Sequence, residues 1–455
     1  MTALAFVLAL AILITVHEWG HYRVAVAFGV RVEKFSIGFG PALLTWRSQQ
    51  HGQEIEFAIG AIPLGGYVRM LDSQDANLAP EQRAMALDAK PLWVRSLVVL
   101  AGPVANLVLA IFLTSTVFWS GQFETKAVIA MPQMGSAAHV AGLKSGDTIL
   151  AAGSTQADAQ TIASMEDLRW WALNQDFGSQ ASALQVMSAQ TSRPRWITIA
   201  AFDPKNLQGL DALGISSALS APVLGQVQKS TPAEIAGLLP GDRVLRIDGQ
   251  SFNDATALRQ FIRHSGEFSA PSQQVWEIER PHEGVLNLEI TPARVATDGG
   301  YIGRVGVQIG ARPEQVWVEY GFFEALSKGL ERTFAITAMT ANGLWQMLIG
   351  EASAKSLTGP LGVAEFAGQA AEMGWTAYLS YLALISVSLF VLNMLPLPML
   401  DGGHLMYYLL EAVRGRPLSS AALGFMQRIG LCLIVALMIF TFFNDLERMG
   451  WLKLF

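Results

Sequence analysis

The sequence predicts an α-helical membrane protein. It has four transmembrane helices, a membrane-associated β-hairpin region between the first two, and two related α/β domains outside the bilayer. Composition is the first reason: of 455 residues, 51% are hydrophobic and only 15% charged, with a mean hydropathy of +0.35. That is too apolar for a soluble chain and too polar for one lying wholly in a bilayer. Four apolar runs are the second: Ala3–Phe28, Ser96–Phe118, Trp375–Asn393 and Arg428–Phe443, each close to the ~20 residues that cross a ~30 Å hydrocarbon core. The third is a duplication at an offset of 95 residues in the long segment between the second and third runs.

Basic residues orient the runs. Arg23, Arg31 and Lys34 follow the first, Lys90 and Arg95 precede the second, and Arg414, Arg416 and Arg428 lie between the last two. The positive-inside rule puts both short connections in the cytoplasm, with both termini and the segment from about Gly121 to Gly374 outside. The first run lacks the basic start and small-residue cleavage site of a signal peptide and reads as a retained span. A net charge of −6 without a basic block argues against nucleic acid, and the single cysteine, Cys432, allows no disulfide within the chain.

In the first run, His17-Glu18-Trp19-Gly20-His21 brings three polar side chains about 21 Å along a helix, where they are costly unless paired or bound. One helical turn apart, His17 and His21 share a face and suit a single metal ion, with Glu18 beside them as base for an attacking water. The connection that follows, Val30–Phe39 and Glu54–Met70, is rich in Val, Ile, Phe and Tyr and broken by Gly60, Gly65 and Gly66. It reads as hairpins or short strands. Next to the metal, Gly65, Gly66, Tyr67 and Val68 suit an edge strand that holds an extended substrate, since a peptide bond inside a helix is shielded until pulled straight. Asp72–Lys90 is expected as a surface helix.

In the outer segment Ala141, Gly142, Gly146, Asp147 and Leu150 recur as Ala236, Gly237, Gly241, Asp242 and Leu245. The pattern A-G-L-x-x-G-D-x-(I/V)-L resembles PDZ domains, which bind an extended peptide as an added strand. The second copy continues Arg246-Ile247-Asp248-Gly249-Gln250; the first, Ala151-Ala152-Gly153-Ser154, is one residue short. Leu213-Gly214-Ile215 resembles the carboxylate-binding loop of that family and is expected to serve the second copy, with Gly214 and Ile215 touching ligand. The domains act as spacers, gates or binders. Thr333–Ile349 is also apolar but carries Thr337, Thr340, Asn342 and Gln346, so Gly321–Ile349 is expected to be an amphipathic helix resting on the outer surface. A fifth span would carry the end of the Trp375 run away from His17.

A catalytic zinc takes three protein ligands and a water. His51, His139, His264 and His282 lie in loops or the outer segment. The better candidate is Asp401, at the end of Asn393-Met394-Leu395-Pro396-Leu397-Pro398-Met399-Leu400-Asp401-Gly402-Gly403. Two prolines two apart break the helix near Asn393, and irregular backbone at membrane depth lines a cavity or packs in protein. His404 competes as ligand. The expected divisions are 1–120, 121–218 and 219–310 for the PDZ-like copies, 311–374, and 375–455.

HEWGH in one span, N-x-x-P-x-P-x-L-D-G in another and the PDZ-like pair resemble the bacterial site-2 proteases over nearly the whole chain. Ala101-Gly102-Pro103-x-x-Asn106 and Gly65-Gly66-Tyr67-Val68 match that family as well. The resemblance implies that His17, His21 and Asp401 ligate one zinc ion, Glu18 activates water and Asn393 helps hold the substrate. It implies an intramembrane zinc endopeptidase of the bacterial inner membrane with its PDZ-like domains in the periplasm. Substrates would be single-span membrane proteins already trimmed on the outer side, of the anti-sigma-factor type used in envelope stress signalling, and remnant signal peptides. Partners would be the bilayer and peptide or protein ligands of the PDZ-like domains. Two other classes compete. A non-catalytic membrane-anchored PDZ receptor predicts a degraded motif, whereas Glu18 and Asp401 are intact. A zinc transporter predicts midplane ligands from paired repeats, which these spans lack.

Overall fold

The computed structural model of the chain describes residues 2–450 apart from 51, 74–78, 189–190, 192, 205–206, 298–299, 352 and 354–356. It divides into two units, one of residues 1–122 with 319–455 and one of residues 123–318.

In the first unit the apolar runs become helices: α1 (Thr2–Ala27), α2 (Leu92–Ser120), α3 (Phe322–Leu348), α4 (Pro360–Met373), α5 (Trp375–Met394), α6 (Asp401–Arg414) and α7 (Ser420–Arg448). Four of these, α1, α2, α5 and α7, are long and apolar enough to cross a membrane. α7 begins eight residues before its apolar run because Ser419 caps it, accepting from the Ala422 N–H at 3.3 Å. Hydropathy marks where a helix meets lipid, whereas the cap marks where it starts. Ala9 and Leu13 of α1, Leu113 of α2, and Leu382 and Ala383 of α5 form the buried centre of the bundle. The α1–α2 seam is tight at Gly20, where a Cβ would lie 2.4 Å from the Ala101 carbonyl oxygen.

α3, expected as a helix resting on the outer surface, packs lengthwise on its neighbours. A helix resting across the spans would touch them at one crossing. Instead Tyr320, just before α3, meets Phe118 of α2 edge to face, Gly329 abuts Ser115, Thr333 Oγ1 reaches Thr114 Oγ1 at 3.4 Å, and Ile336 and Leu344 pack with Ala110, Val387 and Val391. The polar residues that suggested a surface helix are accommodated against α2 and α5, or by bonds to the helix's own carbonyls, as Thr337 and Thr340 make. Asp72–Lys90, expected as a helix, contains only the four-residue helix Pro80–Arg83 among the described residues.

Strands β1 (Val32–Gln50) and β2 (Gln53–Met70) are each bent at their glycines, so one long hairpin folds into four rows. Val32–Ile37 lies between Gly66–Met70 on one side and Glu56–Ile59 on the other. The latter pairs Lys34 with Glu56 and Ile37 with Ile59, advancing in the same direction, and Leu44–Gln50 closes the far edge. Gly60 and Gly38 allow the bends, since a Cβ on Gly60 would sit 2.6 Å from the Phe39 carbonyl oxygen. Val30, Val32, Phe35 and Ile55 pack with Tyr22, Ala25, Val94 and Val98 and seat the sheet on α1 and α2.

The second unit holds two four-stranded sheets of the same order. One runs 160–161, 148–153, 182–187, 194–199, and the other 250–251, 243–247, 274–280, 284–290. Each covers its own core, drawn from Ala127–Ala218 and Leu224–Val305 respectively. The glycines at repeated positions, 142, 146, 237 and 241, all have positive φ, which explains their recurrence. Asp248 (φ 48°) and Gly249 (φ 82°) form a tight hairpin turn; the first copy replaces it with a loop in which Thr155 N–H bonds Asp158 at 2.6 Å.

One correction concerns Leu213-Gly214-Ile215. Leu213 and Ile215 belong to the first core, and the Gly214 carbonyl accepts from Gln133 N–H at 2.9 Å. The loop therefore serves the first copy. Its counterpart in the second is Val305-Gly306-Val307, whose Gly306 carbonyl accepts from Gln228 N–H at 2.9 Å. Gly214 (φ 80°) abuts Ser136, and Gly306 (φ 82°) abuts Thr231, residues that match at the offset of 95. Each loop closes its own domain from the C-terminal side, an order that reading along the chain does not reveal.

Candidate metal centre

α1 stays helical through His17 and His21, so both imidazoles face α2. His21 Nε2 lies 3.2 Å from His17 Nε2. Asp401 Oδ2 lies 3.2 Å from His17 Nε2 and 3.5 Å from His21 Nε2. Among the described residues these three form the one cluster of histidine, cysteine and acidic side chains close enough to share a metal ion. Ligand atoms 2.0–2.1 Å from a tetrahedral zinc stand about 3.3–3.4 Å apart. Two imidazoles and a carboxylate at 3.2–3.5 Å therefore fit one zinc ion in both chemistry and spacing.

Asp401 reaches this point because of the turn before it. α5 ends at Met394, ahead of Pro396 and Pro398, and the chain crosses Met399 at φ 82°. α6 starts at Asp401, whose charge is favoured in the first turn by the helix dipole. A Cβ on Gly402 would lie 2.3 Å from the Leu395 carbonyl oxygen, and one on Gly403 2.3 Å from that of Leu397. Only glycine lets the new helix fold back this closely. Gly430 of α7 packs on Pro398 from outside. The far end of α6 is fixed by a bidentate pair, Arg95 to Glu411 at 2.6 and 3.2 Å, with Arg95 over the Tyr408 ring.

α2 supplies the surroundings. His21 Nδ1 lies 2.8 Å from the Val98 carbonyl oxygen, which accepts its hydrogen. Gly102 leaves room for the ring, since a Cβ there would fall 2.2 Å from His21 Nε2. Asn106 Nδ2 lies 3.4 Å from His17 Nδ1, and the Asn106 carbonyl accepts from Ser386 Oγ of α5 at 2.7 Å.

Glu18 is half-buried beside His17 and faces the sheet, where a Cβ on Gly66 would lie 2.8 Å from Glu18 Cγ. The structure thus brings Gly66 to the predicted base. Gly66, Tyr67 and Val68 pair with Ile37, Ser36 and Phe35, and no strand among the described residues pairs with their other side. Asn393 lies in the last turn of α5, half-buried. His404 lies on α6, meets the Tyr407 ring edge to face and is outside the three-residue cluster. Gly214 and Ile215 lie in the other unit, and His51 is outside the described residues. Sequence reasoning matched Asn106 to a family motif without giving it a role, and missed two other contributors. Asn106 had a signal, as the lone amide in an apolar run. The Val98 carbonyl had none, and the Arg95–Glu411 pair joins residues too distant to associate by pattern.

Comparison with known proteins points the same way. The model of peptidase family M50 matches residues 5–437. The chain is 37% identical over 459 residues to the regulator of sigma E protease of Salmonella typhi and 34% identical over 456 residues to that of Escherichia coli K12, covering 98% of both chains each time. It is 35% identical over 468 residues to a Ralstonia nicotianae protein provisionally described as a zinc metalloprotease, covering 99% of each.

Proposed function

This chain belongs to peptidase family M50 and is a zinc metalloprotease, and from that premise we propose that it cuts peptide bonds within the bilayer. The observation that carries the reading is the meeting of His17, His21 and Asp401 within hydrogen-bonding distance, two on an apolar helix and one on a proline-broken turn. His17, His21 and Asp401 hold the ion and Glu18 is the general base. Zinc, when bound, polarises the scissile carbonyl and acidifies the attacking water. Glu18 takes the proton of that water and returns it to the leaving amine. The edge at Gly65, Gly66, Tyr67 and Val68 receives the substrate as an added strand, so main-chain bonds hold it while side chains vary. Asn393 steadies the same segment.

The substrates are single-span membrane proteins already trimmed on the outer side, including an anti-sigma factor of envelope stress signalling and remnant signal peptides. The enzyme sits in the bacterial inner membrane with both termini and residues 123–318 in the periplasm. The two repeated domains are PDZ-like and act as a gate that holds back untrimmed proteins, since a span confined to the same bilayer needs little added affinity to meet the enzyme. Purified enzyme with a single-span substrate, with and without chelator, tests the reading. Cleavage that survives complete zinc removal overturns it. Deleting Met131–Ile309 tests the gate: cleavage of untrimmed substrate is expected to appear. Loss of trimmed-substrate cleavage in a zinc-loaded variant would instead make the domains recruiters.

A further inference from the structure

Resting on the reading that His17 ligates zinc through Nε2, we propose that Asn106 is its positioning residue, accepting the His17 Nδ1 hydrogen through Oδ1 and so fixing ring and tautomer. The two histidines differ in their outer partners. His21 faces a backbone carbonyl at 2.8 Å, which can only accept, so its hydrogen lies on Nδ1 and the Nε2 lone pair is free to ligate. His17 faces an amide, which can donate or accept.

In the arrangement seen, Asn106 Nδ2 donates to His17 Nδ1 at 3.4 Å, which suits a ring whose hydrogen is on Nε2, 3.2 Å from Asp401. A ring that ligates through Nε2 keeps its single hydrogen on Nδ1 and needs an acceptor there. Asn106 is fully buried, and its Oδ1 has no hydrogen-bond partner. A half-turn about Cβ–Cγ exchanges two atoms of nearly equal size and puts that oxygen on His17. The backbone at this point is held by Ser386, fully buried, bonding the Asn106 carbonyl at 2.7 Å. Asparagine thus serves either tautomer of His17, and only its acceptor end serves the ligating one.

The test uses the full-length chain in detergent, stripped and reloaded with zinc, competed against chelators of graded strength with bound metal measured by mass spectrometry. Asn106→Leu is expected to weaken zinc retention roughly 10–100-fold, whereas Asn106→Asp, an acceptor at the same place, stays within about threefold of the parent. If Asn106 merely fills space the order reverses, because aspartate adds a buried charge and leucine does not. An Asp loss equal to or beyond the Leu loss, or no loss with Leu, overturns the proposal. Should Leu not accumulate, Asn106→Ala takes its place with the same order expected. His17→Ala is the parallel control: if it keeps zinc at parental affinity, the ligand reading itself fails, whatever position 106 shows.

Discussion

Asp242 and Asp401 are both acidic side chains drawn out of water, and their surroundings differ in one respect. Asp242 is completely enclosed and its oxygens are matched by donors: Leu239 N–H at 2.8 Å and the Arg280 fork at 2.8 and 2.9 Å. The Arg280 fork in turn bonds the Gly237 carbonyl, so the cluster holds the glycine turn of the repeat in place. At Asp401 the neighbours are two imidazole Nε2 atoms, 3.2 and 3.5 Å from one carboxylate oxygen, and, among the described residues, no arginine or lysine. A buried acid ringed by donors stabilises a fold. One grouped with imidazoles that can offer lone pairs to the same point has the donor set a cation takes.

The comparison is broken most directly at the metal centre. Glu18→Gln is expected to lower kcat by roughly 10²–10⁴-fold, the usual worth of a general base, while zinc stays bound. Metal analysis of that variant checks the division of labour, since lost zinc would make Glu18 a ligand. Asp401→Asn, a poorer oxygen ligand, is expected to lower zinc affinity by more than the ~10–100-fold typical of an outer partner. His404→Ala is expected to leave it unchanged. An unaltered Asp401→Asn beside a zinc-free His404→Ala would move the third ligand.

At the sheet edge, alternation turns either the Tyr67 or the Val68 N–H outward. Proline at the outward one is expected to slow cleavage more than alanine there, because a donor to the added strand is lost. Equal rates for the two variants count against strand addition. The smallest effects separate the two copies of the repeat. In the first, Arg195 plays the part of Arg280 from the neighbouring strand, bonding the Gly142 carbonyl at 3.4 Å and standing 3.7 Å from Asp147, with about half its side chain in water at 49%. Removing Arg280 takes two close donors from a buried charge and is expected to cost about 3–5 kcal/mol; Asp147 is as buried, but Arg195 stands further off, so its removal is expected to cost less. Domain-resolved hydrogen exchange of the full chain reads both. Burial raises the Asp242 carboxyl, but the Arg280 and Leu239 bonds outweigh it and hold it below its ordinary value. Its stabilisation is therefore complete above the unfolded pKa of about 3.9 and is lost as pH falls through the lower folded value. Pepsin digestion between pH 5 and 3 is expected to open the Asp242 region only toward the acid end, and Arg280→Met to abolish that dependence.

Much of the centre could be read from residues alone, because charge in an apolar run has few explanations and two prolines two apart have fewer. HEWGH and the Asp401 turn announced themselves for those reasons. The long-range features did not. α3 carries Glu324, Lys328, Glu331 and Arg332 near its start, which read as surface character; its packing on α2 depends on Gly329 meeting Ser115, and pattern cannot supply that pairing. Likewise, β1 and β2 each looked like strands, but their doubling into four rows depends on glycine bends and register. The loop at Gly214 was recognisable in kind and misassigned in place, since nothing local says which core a closing strand rejoins.

The open row Gly66–Met70 has a further consequence, for crowding. A strand able to accept a foreign chain can also accept the same row of a neighbouring molecule, so an edge that admits substrate, as proposed, would expose the enzyme to its own kind. The row is only five residues long, and Arg69, 70% exposed and paired to Glu33 at 2.9 Å, sets a charge along it. Short length and an edge cation are the devices that discourage such self-pairing. Lengthening that row or neutralising Arg69 would then be paid for in tangled enzyme at high membrane density, well before any change in the chemistry of a single copy.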